Sequence, residues 1–253
     1  MINETKKETK ITNKVTARGK LITSGRNAYG NYEITLTIMN LSRKQKKENE
    51  NDHNKNFLYV RFALDSALPA SIRIGSIVDV EGYVQAFNYI DPALQKRKYV
   101  QRFVATKITP VKTEMEEVFG VEGMFYTDQK IKVYLSGNYG GLTIDEARWQ
   151  KLKIRTPQIS KRDKPNDVQI SDYKMSRHTP LSQFEIGEKV ACICTVFTPS
   201  KEIRGEIRYY EDLILNDIVS LEDYEKEQEV MERELLQFEN VGKPESIDDF
   251  LSE

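Results

Sequence analysis

Apolar residues in this chain recur at every second position over short stretches, and clusters of Gly, Asn, Asp and Lys separate the stretches. A period of two predicts strands, because successive side chains on a strand point to opposite faces. Five strands are predicted in the first half: Val15–Thr23, Tyr32–Met39, Phe57–Leu64, Ile77–Phe87 and Tyr99–Pro110. Ahead of them lies a polar leader, residues 1–13, expected to be disordered. Asp65–Arg73 is long enough for a short helix or a turn, closed by Ile74-Gly75. Three connections are strongly polar: Ser24–Gly30, Ser42–Asn56 and Asn88–Lys98. Long hydrophilic loops on a small barrel are either binding elements or solvated connections.

The pattern then recurs. VTARGKLIT (Val15–Thr23) matches FGVEGMFYT (Phe119–Thr127), and IRIGSIVDVEGYV (Ile72–Val84) matches FEIGEKVACICTV (Phe184–Val196). YVQRFVATKI (Tyr99–Ile108) matches YYEDLILNDI (Tyr209–Ile218), and Tyr59-Val60-Arg61 matches Lys153-Ile154-Arg155. The matches are collinear. They predict an all-β chain built from a duplicated five-stranded unit, residues 14–113 and 114–221, with Thr156–Leu181 as a large loop inserted in the second copy. Tyr224, Met231, Leu235 and Phe238 then form a narrow helical stripe. It predicts an amphipathic helix over 222–240, followed by a flexible acidic tail over 241–253.

Alternation sorts the strand residues into two faces. Leu58, Val60, Phe62 and Leu64 read as core, which leaves Phe57, Tyr59 and Arg61 on the other side. Val78, Val80, Gly82, Val84 and Ala86 form a second inward set, with Tyr83, Gln85 and Phe87 opposite and Tyr89 in the loop beyond. Aromatic rings flanked by cations suit unpaired nucleic acid. Every base offers a ring face to stack on, worth ~1–3 kcal/mol per base, while Arg and Lys neutralise phosphates. The alternative is that these rings lie under a helix, a partner subunit or the second barrel.

Charge sharpens the picture. The formal net charge of −1 conceals a gradient: residues 1–113 carry 20 basic and 10 acidic side chains, 114–220 carry 15 and 17, and 221–253 carry 3 and 12. A basic front suits a polyanionic partner, and an acidic rear suits an interaction tail or a solubilising end. Cys192 and Cys194 share one face of an apolar strand and read as small core residues, so no disulfide framework is expected. His53 and His178 fall in loops, and Ser136–Gly141 lacks the lysine of a phosphate-binding loop. No catalysis, metal or cofactor is expected. No stretch approaches the ~20 apolar residues of a membrane span, so a soluble, cytoplasmic protein is expected.

The segments GKLITSGRNAYGNYEITLTIMN, NFLYVRFALDSA, IRIGSIVDVEGYVQAF and KRKYVQRFVATKI resemble successive strands of bacterial and phage single-stranded DNA-binding proteins. The resemblance covers residues 14–113, and residues 114–222 only through the internal repeat. It implies two tandem OB-folds and a strand-binding face at Phe57, Tyr59, Arg61, Tyr83 and Phe87. Arg26, Tyr29, Lys44, Lys46, Lys47, Tyr89, Lys96, Arg97 and Lys98 would assist from the loops. It further implies that the acidic end, Ile247, Asp248, Asp249, Phe250 and Leu251, recruits replication and recombination proteins. With fewer basic residues, the second copy is expected to contribute less to binding and to support a subunit contact; a homodimer and a monomer are equally consistent. An OB adaptor that binds protein, and a single-stranded RNA-binding protein, remain the alternatives.

Overall fold

A computed structural model describes residues 12–27, 30–39, 57–91, 95–111, 116–118, 121–125, 130–144, 150–156, 166–172, 183–198, 200–203, 206–209 and 211–230. Five strands of the first half are β1 (Asn13–Arg26), β2 (Tyr32–Met39), β3 (Phe57–Leu64), β4 (Ile77–Asp91) and β5 (Lys96–Pro110). β1 pairs with β2, β2 with β3, β5 with β4 and β4 with β1, all antiparallel, while β3 and β5 run parallel at Phe62–Ala63. The circuit closes into a five-stranded barrel of the OB type. Its interior holds the alternating residues Leu36, Val60, Phe62, Val80, Val84 and Phe103, with the Phe62 and Phe103 rings 5.6 Å apart. The inward set read from sequence is buried in full, Gly82 included, except Leu64, which is partly buried against the core.

One expectation about connections changes, and a second resolves to the turn of its two alternatives. Asn88–Lys98 is largely strand: β4 runs on to Asp91 and β5 starts at Lys96, with Tyr89 opposite Lys98, Ile90 opposite Arg97 and Asp91 opposite Lys96. Polar residues pair in this hairpin because ladder hydrogen bonds do not require an apolar face. Asp65–Ser76 is turns and bends, without a helix.

Beyond the barrel come β6 (Glu116–Val118) and β7 (Val121–Phe125), a two-stranded sheet of their own, then β8 (Lys130–Ile144), β9 (Gln150–Thr156), β10 (Asn166–Asp172), β11 (Lys189–Phe197), β12 (Ser200–Ile203), β13 (Glu206–Tyr209) and β14 (Asp212–Ser220). β12 and β13 form a second separate hairpin. β8 pairs with β9, β9 with β10, β14 with β11 and β11 with β8, all antiparallel, and β10 meets β14 in parallel at Ser171 and Ile214.

The registers repeat those of the first half. Lys20 faces Thr37 as Asn138 faces Arg155, and the bulge between Glu81 and Gly82 recurs between Ile193 and Cys194. Gly75 (φ 94°) donates its N–H to Leu21 O at 2.7 Å, and Gly187 (φ 97°) donates to Tyr139 O at 2.8 Å. A positive φ at both turns explains why each reads Ile-Gly.

These registers correct two of the sequence matches. The position of β1 is taken by β8, not by 119–127, whose residues 121–125 lie in the small β6–β7 sheet. β9 stands where β2 stands, so Lys153–Arg155 is the counterpart of Thr35–Thr37, and Asn166–Asp172, expected as loop, is the strand in the place of β3. The sequence match had followed residue likeness at short range, whereas hydrogen-bond register decides the equivalence. Inside Thr156–Leu181 the alternation of Val168 and Ile170, both fully buried, forms that strand.

The two halves join edge to edge. β1 and β8 pair antiparallel from Asn13–Leu135 to Arg18–Lys130, with Val15 opposite Val133. Where β1 begins, the free edge of β4 is capped by side chains. Asn13 accepts the Val84 N–H (2.9 Å) and donates to Val84 O (2.8 Å); Asn166, 1% exposed, accepts the Ala86 N–H and donates to Val84 O (2.9 Å) and Thr156 Oγ1 (2.8 Å). Among the described residues, no buried side-chain nitrogen or oxygen is left without a hydrogen-bond partner.

A helix, α1, occupies 221–230. Ser220 caps it: its Oγ accepts the Asp223 N–H (3.1 Å), and its hydroxyl donates to Asp223 Oδ2 (2.7 Å). Leu221 is buried and Tyr224 half-buried, so one side of the helix is covered; the rest of the expected helix and the acidic tail lie outside the described residues.

Candidate functional site

The barrel's strand order brings the expected face together around a residue the sequence reading passed over. β5 lies between β3 and β4, and its parallel register puts Arg102 beside Arg61 on the outward side. Arg102 faces Gln85 across the β4–β5 ladder and donates to Gln85 Oε1 from Nε (3.0 Å) and Nη2 (2.8 Å). Its guanidinium carbon also lies 5.6 Å from the centre of the Phe87 ring, a cation–π distance. Gln85, expected to point outward, is thereby covered to 8% exposure. Tyr83 and Phe87 flank this pair, both half-buried, and partial burial pushes the Tyr83 phenol above its ordinary pKa. Arg102 was legible in principle: Phe103 and Ala105 point inward, so 102 points out.

Tyr59 and Arg61 occupy the adjoining strand, and here the second half intrudes. β3 and β5 pair only at Phe62–Ala63. Where they part, the Tyr59 N–H donates to Thr198 Oγ1 (3.4 Å) and the Arg61 N–H to Glu211 Oε1 (3.2 Å). Arg61 also grips that carboxylate with Nε (2.7 Å) and Nη2 (2.8 Å). Its charge is therefore partnered, although the side chain remains 45% exposed.

A matching contact runs the other way. The Gln169 N–H on β10 is shared by the Tyr99 hydroxyl oxygen (3.0 Å) and Gln101 Oε1 (3.3 Å), and the Tyr99 hydroxyl donates to Asp167 O (2.8 Å). Burial drives the Tyr99 phenol pKa far up.

The remaining expected residues are placed as follows. Arg26 ends β1 with its guanidinium carbon 4.6 Å from the Tyr32 ring centre and Nη2 2.8 Å from the Tyr32 hydroxyl. Phe57 opens β3 opposite Met39, and Tyr89, Lys96, Arg97 and Lys98 lie on the β4–β5 hairpin. Tyr29, Lys44, Lys46, Lys47 and Ile247–Leu251 fall outside the described residues, as do His53 and His178.

In the second half the chemistry sits on a different strand. At three outward positions of β2 the first half has Glu33, Thr35 and Thr37; at the same register β9 has Lys151, Lys153 and Arg155. On β10, Asp167 and Gln169 replace Tyr59 and Arg61, and Asp167 pairs with Arg155 at 2.8 Å, which raises the arginine's pKa. Residue likeness alone pairs Lys153–Arg155 with Tyr59–Arg61, which hides this basic row; the register reveals it.

Cys192 and Cys194 are both buried in the core, and burial pushes both thiols up. Among the described residues, no group of three or more His, Cys, Asp or Glu is placed to hold a metal ion, and no helix is long and apolar enough to cross a membrane.

No protein-family model matches the chain, and no curated protein sequence matches it. Solved structures do. The wild-type single-stranded DNA binding protein from Thermus aquaticus matches with a TM-score of 0.50 at 12% identity, over 83% of this chain and 93% of that one. A deletion mutant of the same protein matches with a TM-score of 0.49 at 12% identity, over 83% and 94%. At this identity the similarity concerns the fold.

Proposed function

We propose that this chain is a tandem OB-fold protein that binds single-stranded DNA without catalysis. One observation carries the reading: Tyr59, Arg61, Arg102, Tyr83 and Phe87 lie on adjacent strands of one outward face of an OB-type barrel. Half-exposed rings supply stacking surfaces, and the arginines supply phosphate contacts. Arg26, Tyr89, Lys96, Arg97 and Lys98 extend the path along the β1–β2 turn and the β4–β5 hairpin, with Phe57 at the start of β3. Tyr29, Lys44, Lys46 and Lys47 would join it from the connecting loops. The name of the Thermus aquaticus protein agrees with this reading.

The second OB unit, residues 114–221, is supported by the repeated pairing circuit and registers. Lys151, Lys153 and Arg155 give it a phosphate-binding row. We place the protein in replication or recombination in the cytoplasm, and assign recruitment of partner proteins to Ile247–Leu251.

The test is fluorescence anisotropy with equal lengths of single-stranded DNA, duplex and RNA across a salt series. Preference for the single strand is expected, and equal binding of duplex rejects stacking. Tyr59→Ala with Phe87→Ala is expected to weaken binding at all salt concentrations, by about 5- to 150-fold per ring if each ring stacks a base. Deleting residues 245–253 is expected to leave or improve DNA affinity while abolishing partner capture; a loss of DNA affinity counts against the tail assignment.

A second reading, an adaptor whose OB face binds protein, is favoured by one observation: Thr198 and Glu211 already seat a protein segment on the N–H groups of Tyr59 and Arg61. Absence of binding to any nucleic acid would favour it.

A further inference from the structure

The contact between Arg61 and Glu211 has the shape of an anion site. Three donors of one residue, Nε at 2.7 Å, Nη2 at 2.8 Å and its own backbone N–H at 3.2 Å, converge on the two oxygens of one carboxylate. A guanidinium fork receives phosphate in the same bidentate manner as carboxylate. Glu211 is 12% exposed and Arg61 45% exposed, so the arginine side of the clamp opens to solvent while the carboxylate is seated from the protein side.

The other half shows what the strand edge itself requires. There the corresponding N–H, on Gln169, is shared by the Tyr99 hydroxyl (3.0 Å) and Gln101 Oε1 (3.3 Å), and Gln101 and Glu211 hold the same register position on β5 and just before β14. Neutral acceptors, a hydroxyl and an amide, suffice as a cap. The charge at 211 is thus not demanded by capping; its distinct effect is to occupy Arg61.

We infer that Arg61 forms an oxyanion site which Glu211 fills in the unliganded protein and which a backbone phosphate of a bound polynucleotide takes over. This rests on the reading above that the face binds single-stranded nucleic acid. Glu211 then acts as a built-in competitor. Each binding event trades a carboxylate for a phosphate on one arginine, and the freed carboxylate re-acquires a counterion. Affinity and salt dependence are both lower than the positive charges on the face imply.

The experiment uses the full chain and fluorescent oligothymidylate, with dissociation constants measured from low to moderate salt. Glu211→Gln is expected to bind about two- to fivefold more tightly, the range of an exposed ion pair. Its plot of log affinity against log salt should steepen by about 0.7, one phosphate's worth for a single strand. Glu185→Gln makes the same change in net charge at an exposed turn of the second half and should do neither. Arg61→Ala should lower affinity, and adding Glu211→Gln to it should give no gain. A Glu211→Gln protein that binds like wild type, or a gain that survives in the double variant, overturns the inference.

If Glu211→Gln does not fold, Arg61→Ala decides alone: unchanged affinity overturns the proposal. Binding by wild type is read first, so failure of wild type to bind any single strand rejects the functional reading itself, whereas normal wild-type binding with an inert Glu211→Gln rejects only the competitor.

Discussion

Replacing Asn166 by alanine tests whether side-chain capping at the junction holds the halves together. The wild-type amide makes three hydrogen bonds at a position 1% exposed, and they do not count equally. Val84 O keeps the Asn13 amide at 2.8 Å, and Thr156 Oγ1 keeps the Asn13 amide at 3.4 Å, so both acceptors stay served. The Ala86 N–H, on a residue 2% exposed, loses the Asn166 oxygen that caps it. Leaving one buried donor unmet costs about 1–3 kcal/mol, and the small void adds to it. A loss of about 2–3 kcal/mol is expected, equal to a fall in Tm of roughly 4–12 °C for a domain of this size. Thermal unfolding followed by circular dichroism, with urea titration as a second measure, reads it. Asn166→Asp keeps the acceptor for Ala86 but turns a carboxylate onto Val84 O, so it should be worse than alanine at neutral pH and recover on acidification. If Asn166→Ala melts within about 1 °C of wild type, the capping argument is wrong.

Asp79 accepts Arg18 Nε and Nη2, both at 2.7 Å, and this hydrogen bonding holds its carboxyl below the ordinary value. Its contribution is present above the unfolded-state pKa and lost as pH falls through the lowered folded value; Asp79→Asn should therefore flatten the acid limb of a Tm-versus-pH curve, by no more than about 1 kcal/mol for so exposed a pair. Tyr99, whose folded pKa is raised by burial, stabilises the fold below its unfolded pKa and loses that contribution as pH climbs toward the folded one; Tyr99→Phe should lower stability by about 1 kcal/mol at neutral pH and remove the alkaline loss. Lys151→Ala with Lys153→Ala should reduce the salt slope of single-strand binding by about 1.4 if each lysine meets one phosphate; an unchanged slope removes the second half from the DNA path.

Local sequence carried the element list because alternation is a property of neighbouring residues. β2 and β3 appear within the ends read from the pattern, and the inward set of β4 is buried residue by residue. The Ile74-Gly75 and Ile186-Gly187 turns were visible for the same reason, since a positive φ selects glycine wherever it occurs. So was the aromatic and basic composition of the outward face.

What the pattern lacked was register between distant strands. That Arg102 stands between Arg61 and Phe87 depends on β5 inserting between β3 and β4, and that Lys153 is the counterpart of Thr35 depends on which carbonyl meets which N–H on another strand. The partner of Arg61 was equally hidden, for Glu211 lies 150 positions along the chain and meets it only in the folded tertiary structure. Periodicity assigns each residue a face; only long-range hydrogen bonding assigns that face its neighbours, and the chemistry of this site belongs to the neighbours.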